Sequence, residues 1–565
     1  MEAPKAPKDP IEKRSGFYIM LDKEMTGLKQ PDGSAACPIF LNDGRLISFA
    51  KIVGNITDEQ MLSMLSTAEG FRRLVHSIGI TIQSEYSDRV LDVKFKMYGK
   101  ADTYGGGTVL QMPVRSDGSE HLLELEGTEW SEDDDIPGQM LFTFPEFGEG
   151  VSVSVILYLR DGFQAPPCEP DVPVDMESPA YRSMIENSLI SLGDTGKIKR
   201  IMEKVQSEQV TMAFIGGSIT QGAGAVPIHT SCYAYRTVQA FRERYASMDA
   251  DRVRIVKAGI GGTPSELGLV RYEKDILRYG KEKPDIVVIE FAVNDEGDET
   301  EGECFEGLVR KALLQPEPPL VVLLFSVFSY DWNLQERMIE VGRRYHLPMV
   351  SIKNAVTPQF TKKKENGLVV TKRQFFYDIY HPSNIGHEIM KDCLMNLFEK
   401  ASVTAECEEQ RRAEDTGAVY SADFDKVCFF DRKHVVPGIV IREGSFTDTD
   451  ADLQSVPLDD SAEPIPQFPD NWQHINGTEA FEMKLTCSLL MMVFKDSGEL
   501  DAGRAVITVD GQEKKCWNPR EVGWTHCHAV VVYRGKEAAA HTVKIRMAAG
   551  DEDKKFTILG FAYSL

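Results

Sequence analysis

The chain has 565 residues, too many for a single hydrophobic core, so about two to four domains are expected. Its composition, 42% apolar and 27% charged, is that of an ordinary globular protein. The net charge of -24 argues against a nucleic acid or an anionic membrane as partner, because both bind to a basic face. A neutral substrate such as a sugar or an ester is compatible with this charge.

The N-terminal residues 1–16 are polar where a secretory signal would be apolar, and the longest apolar run, residues 319–325, is too short to span a bilayer. The ten cysteines form neither C-x-x-C pairs nor a disulfide framework. We therefore expect free thiols, a cytoplasmic location and no membrane partner.

Residues 17–164 are predicted to be mostly β, because residues 80–83, 91–96 and 151–157 alternate between apolar and polar. One helical insertion is predicted near residues 58–76. This pattern favours a β-sandwich of jelly-roll type, and the proline-rich residues 165–173 are typical of a linker. The first predicted domain is residues 1–175.

Residues 180–402 alternate between strands and helices, which indicates parallel βαβ units. The predicted strands are 210–215, 253–256, 285–291, 320–325 and 349–352. The predicted helices are 233–245, 265–279, 305–313, 334–345 and 384–397. We expect a flavodoxin-like α/β/α domain, residues 176–404, with a five-stranded parallel sheet of order 2-1-3-4-5.

Beyond a charged connector at residues 406–415 the chain returns to β-type patterns, at residues 506–512, 530–533, 543–547 and 556–561. Residues 405–565 are predicted to form a second β-sandwich domain. The acidic, proline-rich residues 448–470 are predicted to be a mobile loop.

Polar and glycine residues follow the first three predicted strands of the central domain. Ser218 comes after the first strand, Gly262 after the second and Asn294 after the third. In the order 2-1-3 these three loops lie side by side at the edge where open α/β sheets bind ligands. Acyl transfer needs a nucleophile and oxyanion donors, which the Ser218 hydroxyl, the backbone N–H groups of Ser218 and Gly262, and the Asn294 amide can supply.

A histidine and an aspartate stand beyond the last predicted strand. His381 can act as the base that removes the proton of Ser218. Asp378 precedes it by three residues, so in a tight turn its carboxylate can reach the imidazole and hold its tautomer. A lone Asp-x-x-His is more often a cap or a surface pair, but the combination with Ser218 and Asn294 predicts a serine hydrolase.

These four motifs, in this order, resemble those of the SGNH hydrolases, also called GDSL esterases and lipases. The matching segments are Gly216–Ile219, Gly262, Ala292–Asp295 and Asp378–His381. The resemblance implies that Ser218 is the nucleophile, that Asp378 and His381 complete the triad, and that Gly262 and Asn294 join Ser218 in the oxyanion hole. Gly217 stands where the family usually has aspartate, and Ala292 where it usually has glycine.

Four other sequence motifs are excluded because residues that they require are missing. A phosphate loop would need Lys-Ser/Thr after Gly222, a dinucleotide fingerprint would need glycine at Pro264, and an α/β-hydrolase turn would need glycine at Thr220. A calcium loop from Asp448 would need glycine at Leu453. His526 and His528 alternate with Cys527 as in a strand, so neither a metal nor another cofactor is expected.

The expected reaction is the hydrolysis of acetyl esters on plant-type oligosaccharides such as acetylated xylan or mannan fragments. Flanking β-sandwiches resemble the accessory domains of carbohydrate acetylesterases, and Trp524 and Trp472 are candidate sugar platforms, each with the alternative of a core tryptophan. A lipase or arylesterase acting on other esters, and a carbohydrate-binding protein with an inactive core, are the alternatives. The sequence leaves a homo-oligomer open.

Overall fold

The computed structural model describes residues 14–30, 33–85, 88–246, 252–407 and 410–565. The strands are β1 (Gly16–Thr26), β2 (Leu28–Lys29), β3 (Ala35–Phe40), β4 (Val75–Gln83), β5 (Val90–Gly99), β6 (Val109–Arg115), β7 (Asp117–Glu124), β8 (Asp134–Phe144), β9 (Gly150–Leu159), β10 (Leu189–Ser191), β11 (Val210–Gly216), β12 (Val253–Gly259), β13 (Ile286–Glu290), β14 (Leu320–Phe325), β15 (Met349–Ser351), β16 (Cys428–Phe430), β17 (Val440–Arg442), β18 (Ser455–Pro457), β19 (Pro464–Pro466), β20 (Trp472–His474), β21 (Phe481–Asp496), β22 (Ala505–Val509), β23 (Gln512–Trp517), β24 (His526–Met547) and β25 (Phe556–Ser564). The α-helices are α1 (Arg45–Ile52), α2 (Glu59–Met64), α3 (Ala68–Leu74), α4 (Pro179–Glu186), α5 (Thr195–Lys204), α6 (Ser218–Gln221), α7 (Tyr233–Tyr245), α8 (Ser265–Asp275), α9 (Glu303–Leu313), α10 (Gln335–Tyr345), α11 (Ile352–Val356), α12 (Lys372–Phe375) and α13 (Asn384–Val403).

These elements form two compact units. The first contains the described residues up to Val174 together with the segments 224–227 and 370–386. The second contains residues 175–223, 228–369 and 387–565. The predicted boundary at residue 176 lies next to the start of the second unit, whereas the one at residue 405 falls inside it.

The first unit is built on two antiparallel sheets that share one core. Their strand orders are β1-β9-β4-β7 and β2-β3-β8-β5-β6. Period-two patterning produces this arrangement, since alternate residues of β9 such as Val153 and Val155 are buried and their neighbours are not. The helical insertion predicted near residues 58–76 is present as the two short helices α2 and α3. A further helix, α1, precedes it and was not predicted, and all three cover part of the core.

A six-stranded sheet organises the first part of the second unit. Its order is β10-β15-β14-β13-β11-β12, and the pairs among β11 to β15 are parallel. Strands β11, β13 and β14 are buried along their whole length, as in a parallel sheet covered on both faces. The sixth strand, β10, pairs antiparallel with β15 and was not predicted, because three residues give no periodic signal.

The C-terminal strands form one antiparallel network of eight strands instead of two separate sheets. Strand β21 pairs with β17, β24 and β25, and register irregularities near Cys487 and Leu490 interrupt its ladder with β24. In its second half, one face, which includes Met492, packs in the core of this network. The other face, which includes Met491, lies in a core that also contains residues of α8 and α9.

The segment 448–470 is not the mobile loop that its composition suggested. It contains the two-stranded ladder β18–β19, and Asp459 accepts hydrogen bonds from Lys257 N at 2.9 Å and Arg278 Nη2 at 2.8 Å. The buried carboxylate of Asp450 forms an ion pair with Lys495 at 3.2 Å, so this part of the segment lies in the protein interior.

Among the described residues, none of the helices combines the length and the apolar character that crossing a membrane would require.

Candidate active site

Ser218 begins the one-turn helix α6 directly after the central strand β11. Gly217 precedes this helix with φ -86° and ψ -145°, and the carbonyl of Ser218 accepts hydrogen bonds from Gly222 N at 3.0 Å and Ala223 N at 2.9 Å. Backbone N–H groups at the start of a helix point away from it. The half-buried Ser218 therefore presents its N–H and its hydroxyl at the carboxyl edge of the sheet.

The loop that carries Gly262 runs beside Ser218, because β12 pairs with β11. A Cβ placed on Gly261 would lie 3.6 Å from Ser218 Cβ, and Gly261 N donates to Gln221 Oε1 at 2.9 Å. Gly262 has φ +71°, a conformation that glycine adopts without strain. A side chain here would also collide with Trp524, whose Cζ2 lies 2.5 Å from the position of a Cβ on Gly262.

A residue from the segment 448–470 holds this glycine loop in place. Gln454 Nε2 donates to Gly261 O at 2.8 Å, and Gln454 Oε1 accepts from Cys527 N at 2.9 Å. The amide of Gln454 thus connects the candidate oxyanion loop to strand β24. Sequence analysis missed Gln454, since no local signal distinguishes it from other polar loop residues.

Asn294 follows β13, on the other side of β11 from the glycine loop. Its side chain lies against Gly217: a Cβ on Gly217 would be 2.2 Å from Asn294 Oδ1 and 2.4 Å from Asn294 Nδ2. The glycine at position 217, unusual in the family that the chain resembles, is thus required by the position of this amide. Asn294 Oδ1 is buried and makes no hydrogen bond within the described part of the chain.

Burial raises the pKa of two carboxyl groups near this edge, which favours their neutral forms. Burial raises the pKa of Glu290, at the end of β13, to about 8, although the hydrogen bond that Thr220 Oγ1 donates to its Oε2 at 3.0 Å opposes the shift. Burial and the neighbouring carboxyl of Glu266 raise the pKa of Asp295 well above its usual range. A neutral form at both positions keeps negative charge away from the place where an oxyanion would develop.

Asp378 and His381 form a closed turn in the first unit. Asp378 Oδ1 accepts from Tyr380 N at 2.8 Å and from His381 N at 2.7 Å, while its Oδ2 lies 2.8 Å from His381 Nδ1. This bond assigns the proton to Nδ1 and leaves Nε2 as the base. Burial alone would raise the pKa of Asp378, but the paired imidazole and these hydrogen bonds hold it at about 2.

The two candidate tryptophans differ in their surroundings. Trp524 is 42% exposed, and its ring lies 4.9 Å from that of His526, beside Gly262. Trp472 is only 1% exposed; it packs on Phe481 and its Nε1 donates to Glu443 Oε1 at 3.0 Å. The expectation that Trp472 binds a sugar is therefore wrong, because its ring belongs to the core of the C-terminal sheet.

Two histidines near the start of β24, His526 and His528, have neighbouring rings. His526 and His528 are 5.7 Å apart on the same face of the strand, and burial lowers the pKa of His526 to about 3, so its ring is neutral. Cys527 points into the core that contains residues of α8 and α9. Among the described residues, metal-ligating atoms lie close together at Asp431, His434 and Asp470, within 4.8 Å of one another.

Within the second unit, the structure brings Ser218, Gly262 and Asn294 to three adjacent strand ends, with Trp524 over the glycine. Within the first unit it joins Asp378 and His381, and places Gly224 against them, since a Cβ on Gly224 would be 3.1 Å from His381 Cβ. The second unit thus carries a hydroxyl with oxyanion donors, and the first unit carries a base with its carboxylate; a serine hydrolase uses both kinds of group.

Comparison with known proteins confirms the resemblance to SGNH hydrolases. The sequence model of the GDSL-like lipase/acylhydrolase family matches residues 214–389, the stretch that contains the four motifs. A search of curated proteins found no match.

Two solved structures with TM-scores above 0.5 share the fold. A two-domain esterase active on acetylated mannans is 24% identical with a TM-score of 0.56, and the match covers 67% of this chain and 98% of that one. The same kind of esterase co-crystallised with mannopentaose gives 23% identity, a TM-score of 0.55, and coverage of 67% and 97%. A family two carbohydrate esterase from Cellvibrio japonicus is 11% identical with a TM-score of 0.24, over 68% of this chain and 97% of that one.

Proposed function

We propose that the protein is a serine esterase that removes acetyl groups from oligosaccharides such as acetylated xylan or mannan fragments. The observation that carries this proposal is the convergence of Ser218, Gly262 and Asn294 at adjacent strand ends, with glycine at 217 leaving room for the Asn294 amide. The Asp378–His381 pair supplies the base that such a serine needs.

In the first step Ser218 Oγ attacks the ester carbonyl and a new C–O bond forms, while the serine proton moves to His381 Nε2. The negative charge goes to the carbonyl oxygen, where the N–H groups of Ser218 and Gly262 and the Asn294 amide donate to it. Asp378 remains ionised and stabilises the imidazolium. The bond to the sugar oxygen then breaks, and His381 returns its proton to that oxygen.

In the second step a water molecule replaces the sugar. His381 takes a proton from the water, whose oxygen attacks the acetyl carbonyl bound to Ser218. The same donors stabilise the second oxyanion, acetate leaves, and Ser218 recovers its proton. The steps use side chains and backbone N–H groups of this chain together with water.

The choice of an acetylated sugar is supported by Trp524. A half-exposed indole beside Gly262 offers a flat apolar face of the kind that packs on a sugar ring next to the reacting ester. The net charge of -24 suits a neutral substrate. The solved esterase that shares this fold is described as active on acetylated mannans.

We assign the first sandwich to the jelly-roll type, because the chain crosses between its two sheets at most connections, the exceptions being the hairpins β2–β3 and β5–β6. Both β-rich regions would then be accessory domains of a catalytic α/β domain. The ten free cysteines suit the cytoplasmic location that we propose for the enzyme.

The proposal is tested by Ser218→Ala, with Ser402→Ala, at an exposed serine of α13, as the control. We expect Ser218→Ala to lower acetate release from acetylated xylo- or manno-oligosaccharides by several orders of magnitude and to leave the melting temperature nearly unchanged. Acetate release by Ser218→Ala at the wild-type rate would contradict the assignment of the nucleophile.

Two further measurements separate the alternatives. Comparing p-nitrophenyl acetate with long-chain p-nitrophenyl esters distinguishes an acetylesterase from a lipase, because an acetyl site rejects long acyl chains. Covalent labelling of Ser218 by a fluorophosphonate identifies an active serine, whereas sugar binding without labelling would favour a binding protein with an inactive core.

A further inference from the structure

Strand β1 of the first sandwich is irregular just before Lys23. Its ladder with β9 shifts register between Tyr18 and Met20 and again between Met20 and Lys23. Asp22 has φ +46°, which is uncommon for a residue other than glycine. Irregularities of this kind re-aim the side chain that follows and occur next to active sites.

The Lys23 ammonium group points toward the turn that carries Asp378 and His381. Its Nζ lies 4.2 Å from the centre of the Tyr377 ring and 5.4 Å from that of Phe49 in α1. The same Tyr377 closes the turn, because its N–H donates to His381 O at 2.8 Å. Within the described part of the chain, Lys23 Nζ has neither a hydrogen bond nor an ion pair.

Asp378 directly follows Tyr377, so Lys23 contacts the ring of the residue next to the triad carboxylate. The charge of Lys23 helps to hold the pKa of Asp378 down against the effect of burial, and Asp378 in turn opposes the lowering of the Lys23 pKa by burial. A cavity of about 540 Å³, lined among others by Lys23, Tyr377 and Asn384, lies on the same side of the turn.

We propose that Lys23 is a positioning residue of the active site: its ammonium group, held over the Tyr377 ring by the irregular strand β1, keeps the turn from Tyr377 to His381 in the conformation in which Asp378 faces the imidazole. This inference rests on the proposed esterase function. It assigns to the first sandwich a part in the reaction, because the cation that contacts the turn of Asp378 and His381 comes from β1.

Several other charged and titratable groups lie around Lys23. Burial lowers the pKa of Lys23 to about 8, and it raises that of Cys37 to about 11 and that of Tyr377 well above its usual value. The remaining charged neighbours in the cavity and around the turn have partners of their own: Asp22 with Ser154, Glu24 with Asn384, Asp171 with Arg373, and Arg45 with Asp43.

Three variants test the inference: Lys23→Met, Lys23→Arg and, as a control for the loss of one positive charge, Lys29→Met in the exposed strand β2. We expect Lys23→Met to lower kcat about tenfold or more with little change in KM. Lys23→Arg should restore most of kcat, since a guanidinium keeps the charge and stacks on an aromatic ring. Lys29→Met should behave as the wild type.

The pH profile adds a readout that a structural role would not change. Wild-type kcat should fall above about pH 8 as Lys23 loses its proton, and this decline should be absent from both Lys23→Arg and Lys23→Met. The free energy of unfolding of the wild type should instead increase over this pH range. A lysine with a pKa of about 8 in the folded state and 10.5 in the unfolded state adds to the free energy of unfolding as the pH rises between those values.

A measurement without substrate separates this inference from the proposed function. In protein labelled with carboxyl-¹³C aspartate, the signal assigned by Asp378→Asn should titrate at higher pH in Lys23→Met than in the wild type. An unchanged Asp378 titration, or a Lys23→Met enzyme with wild-type kcat and the same alkaline decline, would overturn the role of Lys23. Failure of the esterase proposal would appear separately, as wild-type protein whose acetate release does not depend on Ser218.

Discussion

The contact between Gly217 and Asn294 predicts the effect of adding a single methyl group. In Gly217→Ala the new Cβ would lie 2.2 Å from Asn294 Oδ1 and 2.4 Å from Cγ and Nδ2, whereas ordinary contacts are 3.4–4 Å. The amide must therefore move by more than about 1 Å, since the backbone of Gly217 is fixed by β11 and α6. Gly217→Asp, which introduces the residue usual in the resembled family, requires at least as large a movement.

Displacing one oxyanion donor costs about 10²–10³ in kcat. We expect Gly217→Ala to lose that much with p-nitrophenyl acetate, and Asn294→Ala to lose a similar amount. Because both changes act on the same donor, the double variant should be no worse than Asn294→Ala alone, within about threefold. The matched control is Gly297→Ala, since a Cβ on Gly297 meets nothing within 4 Å.

The reasoning is refuted if Gly217→Ala keeps kcat within about twofold of the wild type. It is also refuted if the losses in the double variant multiply, because the two residues would then act independently. Fluorophosphonate labelling of each variant shows whether Ser218 is still accessible, and a melting curve shows whether the fold is intact.

Two further predictions concern the substrate platform and the pH dependence of stability. Trp524→Ala should raise KM for acetylated manno-oligosaccharides about tenfold, equal to about 1.4 kcal/mol, and leave kcat/KM for p-nitrophenyl acetate nearly unchanged. The control is Trp472→Phe, a change in the core. Equal losses of kcat/KM on both substrates in Trp524→Ala would contradict a sugar platform. Glu290→Gln should become more stable relative to the wild type as the pH rises from 4.5 to about 8, because the folded protein must keep Glu290 protonated while the unfolded chain ionises. The gain, on the order of 5 kcal/mol at pH 8, is measured by urea unfolding at several pH values, and a constant difference between the two proteins would contradict it.

The parts of the site that the sequence predicted well are those with a local signal. Asp378 and His381 are three residues apart, and this spacing allows one carboxylate to accept two backbone N–H groups and face the imidazole. Ser218 and Asn294 follow short apolar runs whose ends define their place at the edge of the sheet. These contacts depend on residues that are close in sequence or on the order of neighbouring strands.

The parts that were missed depend on contacts between residues far apart in the chain. Gln454 holds Gly261 from nearly two hundred residues away, and its acidic, proline-rich surroundings suggested only a loop. Lys23 comes to the turn of Asp378 through an irregularity of β1, which interrupts the alternation that strand prediction relies on. Trp472 and Trp524 were given the same role because the sequence does not distinguish an indole that faces a core from one that faces solvent.

The shared core of the second unit has a consequence for how this protein can evolve. The second half of strand β21 is buried on both faces, one in its own sheet and one in a core that contains residues of α8 and α9. The C-terminal region therefore cannot be exchanged as an independent domain. Gln454 and Trp524 come from this same region and contact the glycine loop. We therefore expect changes in substrate preference to come from substitutions of exposed residues around the glycine loop, because the buried core beneath them tolerates little change.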